Sequence, residues 1–332
     1  MAPADDDISI EEKRVYAARA GRTDVYLATR TGVVRVAVSG DKIGTFSLVD
    51  RESACDVAVL GRASAADVLA VATERGLRLA TLDDADRDHE FVAVEDIVDS
   101  DAGDADASGD APDAAPGAAV AVGAHDGAVL AASADGTITR LRLEGGTGEE
   151  RLAAAADRVG RVDEPRAIDG PLIAGSGGVH RVVDAADGPR IEAVGLDDVR
   201  DVAGTGVPLA ATSDGLYWLG NGWMDALAGS FDAVAADGNG HAMAVTEGAL
   251  FVHAGDDDTG TDWSTDAWAS STLPVDERPV ALGYGPGISA VVTVDGTLCV
   301  DVGDGWRHQT IGVPDVGGIA LAAVDEDGAR SR

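Results

Sequence analysis

The sequence is poor in the residues from which most site chemistries are built. It has two cysteines, two lysines, three methionines and six histidines in 332 residues, and its aromatic content is 4%. Cys55 and Cys299 stand far apart, each inside an apolar stretch. That excludes a disulfide framework and a thiolate metal site, and leaves two small core residues as the expectation. His89, His125, His180, His241, His253 and His308 are scattered singly, with no two at zinc-ligand spacing, and no serine lies in a nucleophile-elbow pattern. GSGG at 175–178 and GYGPG at 283–287 precede no helix that could hold a phosphate. GDDDTGTD at 255–262 lacks the closing Glu and the registered Gly of a calcium loop and reads as a solvated turn. No cofactor, no metal site and no catalytic residue is therefore expected. No apolar run is long enough to span a membrane, and the opening MAPADDDISIEEKRVY lacks an apolar signal core, so we expect no membrane association and a cytoplasmic location.

What the chain has in excess is acid. Its 59 Asp and Glu face 25 Lys and Arg, a formal net charge of −34. Such a charge repels itself in dilute buffer, whereas at 1 M salt the Debye length falls to about 3 Å and hydrated carboxylates keep the chain soluble. In this the composition resembles that of proteins from salt-in haloarchaea. The same charge argues against nucleic acid as a partner, because phosphate binding draws on Lys and Arg.

A second excess is repetition. LAATSDGLYWL around Gly215 returns, reworded, as YLATRTGVVRV around Gly32, AVATERGLRLA around Gly76, LAASADGTITR around Gly136, LIAGSGGVHRV around Gly178, AMAVTEGALFV around Gly248 and AVVTVDGTLCV around Gly296. Four residues before the glycine stands Ala, or Val292 in the last unit. Three before it stands Thr29, Thr73, Ser133, Gly175, Thr212, Val245 or Thr293. Each unit reads as two strands joined by a tight turn, the glycine supplying positive φ. Gly32 to Gly296 is 264 residues in six intervals, or 44 per repeat, the period of a four-stranded propeller blade.

Short apolar segments before each hairpin (VYAA at 15–18, DVAVL at 56–60, DVAG at 201–204 among them) supply the first, inner strand of each unit, and more polar ones after it supply the fourth. The fold class expected is all-β, a seven-bladed β-propeller of four-stranded antiparallel blades, with eight blades and an incomplete last blade as the alternative. The blades fall at about 13–50, 51–98, 117–156, 157–194, 195–228, 229–273 and 274–313, within one domain over 13–324. IALAAV at 319–324 reads as a strand that closes the ring beside the first blade. Residues 1–12 and 325–332 read as tails, and the Asp/Ala-rich tract at 99–117 as a disordered loop. Recurrent Ala and 43 Gly suit inner strands crowded at an axis, while Trp223 and Trp306 belong where the blades splay.

GLYWLGNGWMDAL at 215–227 and GTLCVDVGDGWRHQTI at 296–311 resemble degenerate sialidase-type, or Asp-box, repeats. EKRVY at 12–16, the seven units and the acidity are together similar to an uncharacterised haloarchaeal β-propeller family. The resemblance implies a fold and no reaction.

Strand parity puts the turns between second and third strands on the face where each blade begins. Arginines near acids recur there: Arg14, Arg166, Arg200 and Arg278 beside Glu12, Glu164, Asp198 and Glu277. These four could form a positive collar for a carboxylate or phosphate, or could simply pair with neighbouring acids. Asp169, Asp201 and Asp232 on inner strands are the carboxylates that could converge on the axis. The functional expectation is a non-enzymatic, monomeric, cytoplasmic scaffold for a protein partner. The alternatives are a hydrolase or lactonase working in the central channel, and a small-ligand or ion sensor.

Overall fold

The computed structural model describes residues 21–82, 89–96, 117–145, 152–186, 188–253 and 262–324. It is a ring of seven four-stranded antiparallel sheets. The first contains β1 (Arg22–Thr29), β2 (Gly32–Ser39) and β3 (Lys42–Asp50). The second is β4 (Ala54–Leu60), β5 (Asp67–Thr73), β6 (Gly76–Leu82) and β7 (Val92–Ala93). The third is β8 (Ala119–His125), β9 (Ala128–Ser133), β10 (Thr137–Glu144) and β11 (Ala153–Arg161). The fourth is β12 (Pro165–Asp169), β13 (Leu172–Gly175), β14 (Gly178–Ala185) and β15 (Gly188–Gly195). The fifth is β16 (Val199–Ala203), β17 (Leu209–Thr212), β18 (Gly215–Leu219) and β19 (Trp223–Ala228). The sixth is β20 (Phe231–Ala236), β21 (Ala242–Thr246), β22 (Leu250–His253) and β23 (Trp268–Ser271). The seventh is β24 (Pro279–Gly285), β25 (Ile288–Thr293), β26 (Thr297–Asp301) and β27 (Arg307–Thr310).

The last strand, β28 (Val316–Val324), returns to the first sheet and pairs antiparallel with β1, so that sheet runs β28-β1-β2-β3 from axis to rim. No eighth sheet stands among the described residues. VYAA at 15–18 lies outside the described residues, and the inner place beside β1 that the sequence reading gives it is held by β28. The tails and the tract at 99–117 also fall outside them, but for Gly117 at its end.

The repeated phrase has a physical cause at each column. The Thr hydroxyl is a local hub: Thr29 Oγ1 donates to the Gly32 carbonyl at 2.8 Å and accepts from the Thr31 N–H at 3.2 Å. Thr73 and Thr212 repeat both bonds. The glycine is needed at Gly32, with φ +129°, where a Cβ would stand 1.9 Å from the Asp50 carbonyl oxygen of β3. Gly178 is the same case, with φ +102° and 2.2 Å to the Leu196 oxygen. The expectation of positive φ fails at Gly215 and Gly248, which lie outside the left-handed region. Thr212→Val removes a hydroxyl that lies within reach of the Gly215 carbonyl and the Asp214 carboxylate and also accepts from the Asp214 and Gly215 N–H groups, and should lower stability by about 1–2 kcal/mol in urea titrations at constant salt.

Packing between sheets is made by alternate faces of the second and third strands. Leu69 and Val71 of the second sheet meet Tyr26 and Ala28 of the first, whereas Val68 and Ala70 face Val129 and Ala131 of the third. Trp223 and Trp306 fill gaps between neighbouring blades: Trp223 Nε1 donates to the Val194 carbonyl at 3.1 Å and Trp306 Nε1 to Ser271 Oγ at 3.2 Å. Cys299 is buried as expected, but Cys55 is exposed, a correction whose reason lies in the inner strands.

Candidate functional site

In all seven inner strands the register against the second strand slips at the same place, between the first residue and the third. The residue stepped over is Cys55, Val120, Arg166, Arg200, Asp232, Val280 or Gly317. A bulge re-aims the side chain it carries, and all seven of these residues line one central cavity of about 870 Å³. This explains Cys55: the bulge turns it out of the sheet, and its thiol donates to the carbonyls of Ala119 and Ala72 at 3.1 and 3.3 Å.

The bulge also places the arginines. Arg166 Nη1 reaches across to the next blade, 2.7 Å from Asp198 Oδ1, while Nη2 lies 3.9 Å from its own Glu164. Arg200 repeats the reach, 2.7 Å from Asp232 Oδ1 and 2.8 Å from Ser230 Oγ. At these two positions the expected positive collar is a chain of blade-to-blade ion pairs. Arg278 is exposed with no ion-pair or side-chain hydrogen-bond partner among the described residues, and Arg14 falls outside them. Beside Arg278 lies Val294, 40% exposed, whose N–H donates to the Arg278 carbonyl at 2.8 Å. Arg166→Gln with Arg200→Gln should change stability by under about 1 kcal/mol in thermal melts, because both pairs are partly solvated and screened by salt.

The carboxylates divide by position. Asp201 sits one residue past the bulge, accepting the Val202 N–H at 2.9 Å through Oδ1 and the Val234 N–H of the sixth sheet at 2.8 Å through Oδ2. Asp56 makes the same clasp from the second sheet to the third, with the Val57 N–H at 2.8 Å and the Val122 N–H at 2.9 Å. Asp169 accepts the Gly204 N–H at 2.6 Å, tying the fourth sheet to the fifth. Burial in the channel wall pushes Asp56 and Asp201 up to about 7 and raises Asp169, with the N–H donors acting in the opposite direction. Each clasp also feels a neighbour, Asp201 acting on Asp56 and Asp169 on Asp201. Asp232, by contrast, is the partner of Arg200 at the mouth.

All three sequence-selected carboxylates therefore line the cavity, yet each is engaged in a different inter-blade contact. Among the described residues no three His, Cys, Asp or Glu gather as a metal site. Asp56 is the residue that sequence reasoning missed. Its signal was the DVA shared by 56–58 and 201–203, which places both acids at one register position. The cavity wall is also uneven, with acids on the second, fourth, fifth and sixth sheets and none among the lining residues of the third, seventh and first.

No helix of the described residues is long and apolar enough to cross a membrane. The family model described as Beta-prop_HVO_0234:-like, beta propeller matches residues 9–322. No curated protein matches the chain. Solved structures similar to it include apo AztD from Citrobacter koseri, at 13% identity and a TM-score of 0.46 over 90% of this chain and 84% of that one. YCF48 bound to D1 peptide is 13% identical with a TM-score of 0.49, over 83% of this chain and 93% of that one. The computationally designed Ika8 protein is 13% identical with a TM-score of 0.49, over 89% of this chain and 86% of that one.

Proposed function

Starting from the premise that the chain belongs to the family described as Beta-prop_HVO_0234:-like, beta propeller, we propose that it is a scaffold whose protein partner seats on the face where the blades begin. In this reading it is a cytoplasmic monomer without catalytic activity. The observation that carries the reading is the corner of the seventh sheet, where Arg278, without an ion-pair partner among the described residues, adjoins the exposed Val294. Arginine is enriched at interfaces and their hot spots, and here it suits a partner as acidic as this chain itself. The neutralised arginines Arg166 and Arg200 then act as structural ties.

The test is capture of partners by tagged protein in lysates held at molar salt. A stoichiometric partner is expected with the parent chain and with Arg166→Gln/Arg200→Gln. Arg278→Glu/Val294→Asp should weaken its retention tenfold or more, about 1.4 kcal/mol. Equal retention by the parent and the Arg278→Glu/Val294→Asp protein would remove this corner from the reading.

A second reading rests on the channel. Carboxyl groups lifted to about 7 beside a cavity of about 870 Å³ have the protonation behaviour of general acids and bases. Hydrolysis of an ester or lactone panel that is lost in Asp201→Asn, with the fold intact, would favour it over the scaffold.

A further inference from the structure

Six of the seven outer strands are blunted against pairing. Those of the second, sixth and seventh sheets are two or four residues long, while β11 carries Asp157 and Arg158, β15 Pro189 and Arg190, and β19 Asp225. Shortness, charge and proline are devices by which sheets refuse an added strand. β3 has none of these along its middle. It is nine residues long and its two charges, Lys42 and Asp50, stand at its ends. Residues 44–48 are exposed without interruption, with Phe46 at 45% and Leu48 at 41%. Its one blunting device is a register slip against β2 on either side of 46–48, which leaves those three residues as a regular window.

The surroundings of the window are set by strand parity. Phe46 and Leu48 stand opposite Val36 and Val34, on the face turned toward the seventh sheet. Across the gap, Arg307 and Gln309 of β27 stand opposite Val300 and Leu298, on the face turned back. The acids that flank β3 are already engaged: Asp41 lies 3.2 Å from Arg307 Nε and Asp50 lies 2.9 Å from Arg78 Nε. Lys42 and Arg51, by contrast, are exposed at the two ends of the strand with no ion-pair partner among the described residues.

We propose that this edge receives an extended acidic segment of another protein as a fifth strand of the first blade. The segment carries apolar side chains at two alternate positions, to lie against Phe46 and Leu48, and carboxylates toward both ends, to meet Lys42 and Arg51. Main-chain hydrogen bonds to the window give the pairing, and the alternate side chains give the choice of partner. Charge complementarity favours this occupant. At molar salt, where the Debye length is about 3 Å, the net charge of −34 no longer repels an acidic approach and contact charges decide. A second copy of the chain fits less well. Paired antiparallel about Phe46, it would set its Asp50 against Lys42 and its Asp41 against Arg51, and both acids are already held. The seat is on the rim and does not rest on the entry-face reading.

The probe is a fluorescent peptide, Asp-Glu-Thr-Val-Thr-Ile-Thr-Glu-Asp, titrated with the full chain at molar salt and followed by anisotropy. Saturable binding is expected. Phe46→Asp/Leu48→Asp, at exposed positions that leave the thermal melt in place, should weaken it tenfold or more, and Phe46→Leu/Leu48→Ile should retain it. A peptide with lysines in place of its four terminal acids should bind tenfold or more weakly than the acidic one. Absence of saturation, equal binding by the aspartate variant, or equal binding of the lysine-ended peptide would each overturn the proposal. Hydrogen exchange at the amides of 46–48 that do not bond to β2 separates the other occupants. Protection in the chain alone at every concentration would give the edge to a segment of this chain, and protection that grows with concentration would give it to a second copy; either result overturns the proposal.

Discussion

A chain ending at Asp315 should show no cooperative unfolding transition at any salt concentration. The loss expected is the largest of any change considered, because β28 is packed from three directions. It supplies the inner strand of the first sheet through its register with β1. Ala320 and Ala322 lie in the core shared with Tyr26, Val57 and Leu69, while Ile319 and Leu321 join the core of Val25, Leu27 and the seventh sheet. The fit is close on both sides. A Cβ at Gly317 would lie 2.2 Å from the Cys55 carbonyl oxygen of the second sheet, and one at Gly283 would lie 2.6 Å from Leu321 Cδ1. Losing two large aliphatic side chains alone is worth about 4–10 kcal/mol, comparable with the whole stability of a domain at about 5–15 kcal/mol. Calorimetry with near-ultraviolet circular dichroism checks it, and a sharp melt within a few degrees of the parent would show that the ring closes without β28. Gly317→Val is the milder version, expected to lower stability by about 3 kcal/mol because the obstructing atom is backbone.

The second large effect is on pH dependence. Asp56 and Asp201 have folded-state values of about 7 against an ordinary 3.8, with burial as the leading cause. Between pH 4 and 7 the folded chain therefore holds protons that the unfolded chain has released, so these two groups make stability fall as pH rises through that window. A shift of this size corresponds to about 4 kcal/mol per group, and the partial exposure of both residues reduces it to about 2 kcal/mol. Asn at both positions mimics the uncharged acid. Asp56→Asn/Asp201→Asn should flatten the slope between pH 4 and 7, and at pH 8 should be more stable than the parent by about 2–4 kcal/mol. The gain is limited because each carboxamide keeps one acceptor for two N–H donors. Denaturant titrations at several pH values and fixed molar salt measure this. A parent chain whose stability rises from pH 5 to pH 8 by way of these groups would contradict the assigned cause.

The architecture was legible because it is written in local chemistry that repeats. Thr29, Thr73 and Thr212 mark their turns through hydroxyl bonds that need no tertiary partner, and Gly32 and Gly178 mark theirs through backbone geometry. Periodicity then carries the rest, since units that cannot bury their own faces must stack. The site was less legible. Arg166 and Arg200 were selected for their acid neighbours in sequence, yet their closest partners, Asp198 and Asp232, come from the following blade. Pairing at a distance of more than thirty residues leaves no local trace. Cys55 reads as core in its apolar stretch, and only the one-residue slip in each inner strand turns it to the channel. A slip of that kind depends on how neighbouring sheets converge, which no single repeat encodes.

The return of Val316–Val324 to the sheet begun by Arg22–Asp50 sets an order of events in synthesis. Six sheets can assemble from contiguous stretches as they emerge, but the first must wait, its axial flank bare, until Val324 has been made. Such a pairing between distant parts of the sequence is slow to find. During that wait the nascent protein is an open crescent, and whatever shields Val25, Leu27 and Ala28 in the interval decides how much of it reaches the closed state.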